Sequence, residues 1–325
     1  MTQIIRVEER IEVDAAILDQ PGSLGIAIHY VLPAADRMPQ RPIVFFCFPG
    51  GSLNRHYFDL DPGGTQGLSL AEAMAARGHV CVMVDHPGIG ASDRPDDGFT
   101  LDPHTVAQID SQVVAAAKSR LGDGLEGYVP VRNLRAIGMG HSMGGMLLGL
   151  MQPHHAPFGA VVVLGSHPFG AIDILMQPLH HLADNPDATR NSLAATLREL
   201  GAEPFKDMIR NPGPTTVFEE GDDAGKAALP HIRTELLTVC GMFSMIPGSW
   251  KREAASIDVP ILLAFGDDDL CKRPYEVPSC FTSSPDVTLH VLKDTGHNHF
   301  AFASRGSLYD RIDTWARGAV SAAPS

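Results

Sequence analysis

The sequence predicts an α/β protein, a mostly parallel sheet with helices on both faces and one helical insertion. Three observations carry this. Short apolar runs that read as strands buried on both faces recur at 43–48, 79–85, 134–140, 159–166, 259–266 and 287–294. Segments with helical apolar spacing stand between most of them, the pattern of βαβ units. Between about 168 and 255 the alternation stops and no buried-strand signal appears.

Taken in order, residues 2–13 and 23–32 (SLGIAIHYVL) are rich in β-branched side chains, with a Pro-Gly-Ser turn between them, and are expected to pair antiparallel. IVFFCF (43–48) ends at Pro49-Gly50-Gly51. LSLAEAMAARG (68–78) is a helix closed by Gly78, and HVCVMVD (79–85) is the next strand. TVAQIDSQVVAAAKSRLG (105–122) has helical spacing. LRAIGMG (134–140), a strand, runs straight into the helical stretch HSMGGMLLGLM (141–151), and GAVVVLGS (159–166) follows. VPILLAFG (259–266) and VTLHVLKD (287–294) complete the strands. In the insertion, SLAATLRELG (192–201) and AALPHIRTELLTVCGMF (227–243) are helical where they have a period. The expected organisation is a core of 1–167 and 256–325 and a lid of 168–255 covering the sheet's C-terminal edge.

The 325 residues are 44% hydrophobic and 19% charged, with 32 Gly and 25 Pro, which sets aside disorder, collagen and coiled coil. The 25 Lys+Arg against 38 Asp+Glu leave a net charge of −13. A protein that tracks a phosphate backbone needs the opposite sign, so no nucleic-acid partner is expected. The cysteines Cys47, Cys81, Cys240, Cys271 and Cys280 form no CxxC or Cys-His pair at zinc spacing, and neither a disulfide framework nor a structural metal is expected. No run approaches 18 apolar residues, and no apolar stretch precedes a small-residue cleavage site near the start. The expectation is a soluble, reduced, cytoplasmic chain with no membrane span.

The sharpest chemical signal is Gly140-His141-Ser142-Met143-Gly144, a G-x-S-x-G pattern with Gly145 beyond, set between a buried strand and a helix. Glycines there permit a tight, strained turn that lifts a serine hydroxyl clear of the backbone, and the helix N-terminus behind it favours developing negative charge. Serine needs a base to take its proton, and the base needs a carboxylate to orient it. In such a sheet the chain order is serine, acid, histidine. Asp267-Asp268-Asp269 follow VPILLAFG, and Thr295-Gly296-His297 follow VTLHVLKD, with His299 two residues on. The other strand end, after GAVVVLGS, offers Ser166 and His167 but no carboxylate before Asp173.

On these residues the chain resembles the α/β-hydrolase superfamily, over about 40–167 and 256–320. Asp85-His86-Pro87-Gly88-Ile89-Gly90-Ala91-Ser92-Asp93-Arg94-Pro95 is similar to the D-x-x-G-x-G-x-S-x-x-P loop of the branch holding esterases, haloalkane dehalogenases and epoxide hydrolases. The resemblance implies an eight-stranded sheet, a helical cap and no cofactor. Serine at 142 argues against the aspartate-nucleophile chemistry of the last two groups. The family's G-x-x-D pattern implies Asp269 as the acid, leaving Asp267 to bond the loop backbone, with Asp268 as the remaining contender. Its "G-H" implies His297 as the base, and His299 then lines the pocket or caps a helix. Oxyanion donors would be the N–H of Met143 and, in the loop where the family reads H-G-x, Gly51, with Ser52 as second choice. That loop here is Pro49-Gly50-Gly51-Ser52, so a hydrogen bond from the family's histidine beneath the site is not expected.

Met176, Met208, Met242 and Met245, with Phe243 and Trp250, make the insertion rich in adaptable apolar side chains. They read as packed lid or as the wall of a pocket for a moderately bulky apolar group, with His141 and His299 as further pocket candidates. His104, His154-His155 and His180-His181 show no metal-ligand pattern, and Gly88-Ile89-Gly90 lacks the third glycine of a nucleotide loop, since Asp93 stands there. No metal is expected. The activity implied is hydrolysis of a carboxylic ester, lactone or thioester of a moderately bulky apolar substrate through an acyl-enzyme. Carbon–carbon hydrolysis and acyl transfer use the same three residues, and a ligand-binding protein without turnover is the reading from a different class.

Overall fold

The structure, a computed structural model, describes residues 3–207 and 220–322. Its strands are β1 (Ile4–Asp14), β2 (Ser23–Pro33), β3 (Ile43–Phe48), β4 (Val80–Val84), β5 (Arg135–His141), β6 (Ala160–Leu164), β7 (Phe205–Lys206), β8 (Leu236–Leu237), β9 (Ile261–Gly266) and β10 (Val287–Leu292). Eight of them form one sheet in the order β1-β2-β4-β3-β5-β6-β9-β10, while β7 and β8 make a separate two-stranded ribbon. The β1–β2 and β2–β4 pairs are antiparallel, and the remaining pairs of the large sheet are parallel.

The period-2 alternation of strand side chains divides the core in two. Val44, Phe46 and Phe48 of β3 join the cluster that includes helices α2 (Pro103–Asp123) and α3 (Met143–His155). Ile43, Phe45 and Cys47 join the opposite cluster, with α1 (Leu70–Ala76) and α8 (Arg305–Ala322). A run apolar at every position is thus what a strand between two helical layers requires. All five cysteines are buried within this packing. None of the described helices is long and apolar enough to cross a membrane.

Helix boundaries follow local chemistry. The second helix starts at Pro103, two residues before the apolar period shows it, because Asp102 accepts hydrogen bonds from the N–H groups of His104 and Thr105 and proline suits the first helical position. The third starts only at Met143, since Ser142 is spent on the turn.

Between β6 and β9 the chain leaves the sheet and forms α4 (Pro186–Glu199), α5 (Asp223–Ala228), α6 (Thr238–Met245) and α7 (Lys251–Ser256) around the β7–β8 ribbon. The expected helix over 227–243 is not one helix. It breaks into the end of α5, a 3-10 turn at Leu229–Ile232, β8 and α6. Pro230 has no N–H to continue the α-helical ladder, although Leu229 before it keeps helical angles (φ −54°, ψ −41°).

Two features tie this segment down. The loop after β3 pairs with it through Asn54 N–H to the Ile232 carbonyl (3.0 Å) and Thr234 N–H to the Ser52 carbonyl (2.9 Å). Trp250 is fully buried against α3, so close that a β-carbon on Gly149 would meet its ring at 2.6 Å. Trp250→Ala should therefore lower unfolding free energy by about 3–5 kcal/mol, the range for emptying a buried aromatic site. Urea denaturation followed by circular dichroism measures it, and a loss under about 1 kcal/mol would show that the segment is anchored elsewhere.

Candidate active site

Ser142 sits between β5 and α3 with φ 52° and ψ −120°, a backbone conformation that side-chain-bearing residues rarely adopt. The residues two positions before and after it must be glycine for steric reasons. A β-carbon at Gly140 would lie 2.4 Å from the Gly144 carbonyl oxygen, and one at Gly144 would lie 2.3 Å from that of Phe48. The Ser142 N–H donates to the Leu164 carbonyl at 2.8 Å, locking the turn to the end of β6.

The three strand-end residues singled out by order meet here. His297 Nε2 lies 2.8 Å from Ser142 Oγ, and His297 Nδ1 lies 2.6 Å from Asp269 Oδ1. Asp269 and His297 are each 1% exposed. Asp269 also accepts from the N–H of Leu270 at 2.6 Å, from the N–H of Gly266 at 3.3 Å, and from His299 Nε2 at 2.9 Å. Burial alone would push its carboxyl pKa up, but the His297 and His299 imidazoles outweigh burial and hold it well below the ordinary carboxylate range. Asp267 and Asp268 are exposed, and Asp267 accepts from the Thr295 N–H at 3.1 Å, fastening the β9 loop to the β10 loop.

His141 and His299 lie behind this row rather than on a pocket wall. Both are fully buried. The His141 ring stacks at 4.5 Å on Tyr57 and donates from Nε2 to the His297 carbonyl at 2.9 Å. Burial, with His297 and His299 nearby, holds its pKa well below the ordinary histidine value, so it stays neutral. His299 begins a short 3-10 turn, and its ring serves the same carboxylate as His297. The H-x-H spacing was the signal for this second imidazole.

Met143 is the first residue of α3, so its N–H has no intrahelical acceptor. Gly51 borders it: a β-carbon there would stand 3.9 Å from Met143 Cβ, and both, with Ser52, line the cavity over Ser142. The support beneath this loop comes from a residue that sequence reasoning passed over. His86 Nε2 donates to the Pro49 carbonyl at 3.1 Å, while Nδ1 faces Asp110 Oδ2 at 2.7 Å, both side chains fully buried. Burial disfavours a charged His86, but the Asp110 carboxylate raises its pKa above the usual value.

The cavity floor is Ser142 and His297, and its roof comes largely from the segment between β6 and β9. Met176, Met242 and Met245 line it. Phe243 does not, being 0% exposed in the core of that segment, and Met208 lies outside the described residues. Leu236, Ser166, His167 and Lys206 also line the wall; the sequence marks the first three only as part of a period or a strand end, and Lys206 not at all. His180 and His181 bond backbone carbonyls of Leu175 and Pro178 away from it. Among the described residues the metal-type cluster is Glu8, His29 and His56, with ligand atoms within 4.8 Å. Arg55 already supplies a cation there, 3.7 Å from Glu8.

A model of the alpha/beta hydrolase family matches residues 43–307. No curated protein matches the chain. Among solved structures it is similar to a thermophilic esterase from Thermogutta terrifontis (14% identity, TM-score 0.58, 96% of this chain and 99% of that one). It is also similar to the thioesterase domain from the curacin biosynthetic pathway (16%, 0.60, 95% and 99%). A carboxylesterase of the ammonia-oxidizing thaumarchaeon Nitrososphaera gargenis gives 11% and 0.60, with 96% and 100% covered. At these identities the likeness is one of fold.

His167 supplies a test of the site's burial. Burial pushes its pKa down to about 4 from 6.5. The unfolded chain therefore binds a proton at His167 between pH 6.5 and 4 that the folded chain refuses, and stability falls as pH drops through that window. His167→Asn should flatten the fall by up to about 1.4 kcal/mol per pH unit in urea titrations run from pH 7 to 4. An unchanged slope would place the His167 ring in water.

Proposed function

We propose, from the premise that this chain belongs to the alpha/beta hydrolase family, that it is a serine hydrolase cleaving carboxylic esters or thioesters through an acyl-enzyme. The observation that carries the reading is the unbroken chain from Ser142 Oγ to His297 Nε2 (2.8 Å) and from His297 Nδ1 to Asp269 (2.6 Å). Ser142 Oγ attacks the carbonyl carbon as its proton passes to His297 Nε2, and the buried Asp269 carboxylate stabilises the imidazolium that forms. The tetrahedral oxyanion takes the N–H groups of Met143 and Gly51, with Ser52 the alternative donor in the same loop. Collapse breaks the ester C–O or thioester C–S bond, and His297 returns the proton to the leaving group. Water, deprotonated by the same histidine, then attacks the acyl-Ser142 ester and frees the acid.

Residues of about 168–255 act as a cap. Met176, Met242 and Met245 close the cleft from above with apolar, adaptable walls, which suits a moderately bulky acyl or alcohol group. An esterase, a thioesterase domain and a carboxylesterase among the similar folds support ester-type substrates.

Ser142→Ala should cut kcat on a short p-nitrophenyl ester by about 10⁵- to 10⁶-fold with the fold retained. A fluorophosphonate probe should label the wild type at Ser142 alone. Activity of more than a few per cent in a preparation free of host esterase would end the mechanism. Asp269→Asn should cost about 10⁴-fold by fixing the wrong tautomer of His297, whereas Asp267→Asn should stay within a few-fold of wild type. The opposite ranking in steady-state assays would move the acid to Asp267 and leave the hydrolase reading standing.

A further inference from the structure

We infer that Lys206 binds a carboxylate carried by the substrate away from its scissile bond, so that the natural substrates are monoanionic esters or thioesters. The inference rests on the serine-hydrolase reading and adds to it the charge of the substrate.

Lys206 is the one Lys, Arg, Asp or Glu side chain among the described residues lining the cavity over Ser142. Its direction follows from the ribbon. In the antiparallel β7–β8 pair, Lys206 stands opposite Leu236, and residues directly opposite project to the same face. Leu236 points at the loop beside the serine, close enough that a β-carbon on Gly51 would meet its Cδ1 at 2.5 Å. Lys206 is thereby carried onto the face turned toward Gly51, Met143 and Ser142.

The ammonium has no carboxylate within salt-bridge reach among the described residues. The acid beside its ribbon partner, Glu235, is already paired with Arg94 at 2.9 Å, and Arg94 in turn lies over the Phe205 ring at 4.7 Å. Lys206 is half-buried on a wall otherwise lined by methionine and leucine side chains, and an anion arriving with the ligand would meet an ammonium that no carboxylate of the described residues already holds. Among the described residues the wall holds a single positive charge, and the polar groups near it, Ser166, Ser244 and the neutral His167, bring none. One compact ammonium matches one negative charge. A phosphate dianion is ordinarily gathered by several N–H donors or an arginine fork.

The test compares charged and neutral esters that differ only at the remote group. On the acyl side the pair is mono-4-nitrophenyl glutarate and methyl 4-nitrophenyl glutarate. On the leaving-group side it is 4-(butanoyloxy)benzoate and its methyl ester. In one of these pairs the anionic-to-neutral ratio of kcat/KM should fall ten- to a hundredfold in Lys206→Met, chiefly through KM, and fall further in Lys206→Glu. Raised salt should lower the same ratio in the wild type. The pair that responds assigns the carboxylate to the acyl or the leaving-group part. Ratios within twofold of wild type in both pairs, with thermal melts showing folded variants, overturn the inference while leaving the hydrolase intact. If no probe is turned over in a Ser142-dependent way, the hydrolase reading falls instead. The charge preference is then read by calorimetry from adipic acid monoamide against adipamide, and equal affinities in wild type and Lys206→Met overturn it.

Discussion

The left-handed turn at Ser142 is the constraint on which the rest of the site depends. A residue with a side chain at φ 52° carries a strain of about 1–3 kcal/mol, and it persists because its surroundings leave no alternative. Leu164 holds its N–H, Gly144 lets the Phe48 and Pro49 carbonyls approach, and Gly145 packs on Ser166. Three strand ends therefore meet at one point. The loop after β3, the turn after β5 and the loop after β6 are in contact because two β-carbons are missing.

The loop after β3 is shaped from below as well. Pro49 cannot donate from its nitrogen, and its carbonyl is held by His86, which Asp110 of α2 holds in turn. The neighbouring Asp85 accepts from the Arg55 N–H at 2.7 Å, from the Arg55 guanidinium at 2.5 Å and from the Ala91 N–H at 2.9 Å. Ser92 donates to the Asp85 carbonyl and accepts from the Ala27 N–H, joining β2 to the same structure. The D-x-x-G-x-G-x-S pattern is thus a brace of buried polar groups under the cleft, each with a partner.

The strands were legible because a strand covered by helices on both faces is apolar at every position, as in IVFFCF. Ser142, Asp269 and His297 were legible because each follows such a strand, and the structure distinguishes Asp269 from its exposed neighbours by burial against His297. What the sequence hid has one physical character: contacts between residues far apart in the chain. His86 meets Asp110 across 24 positions, and His299 meets Asp269 across 30. The cavity wall was harder still. Apolar residues of the same kind, Met242 on the wall and Phe243 one residue on in the core, differ only in which way α6 faces. Pro230 stands within 227–243, and one residue without an N–H outweighs the helical spacing around it.

Asp269 is gripped by two imidazoles and two backbone N–H groups, one pair on each oxygen. Such a carboxylate cannot swing to follow a charge that appears nearby. In water, a new positive charge is met by dipoles that must first reorient, and that relaxation is part of the barrier. In the proposed mechanism, a proton arriving on His297 would find its counter-charge already in position, with nothing left to turn. Around the histidine the protein answers as a frozen dielectric, polarised in advance in the direction of that proposed transfer.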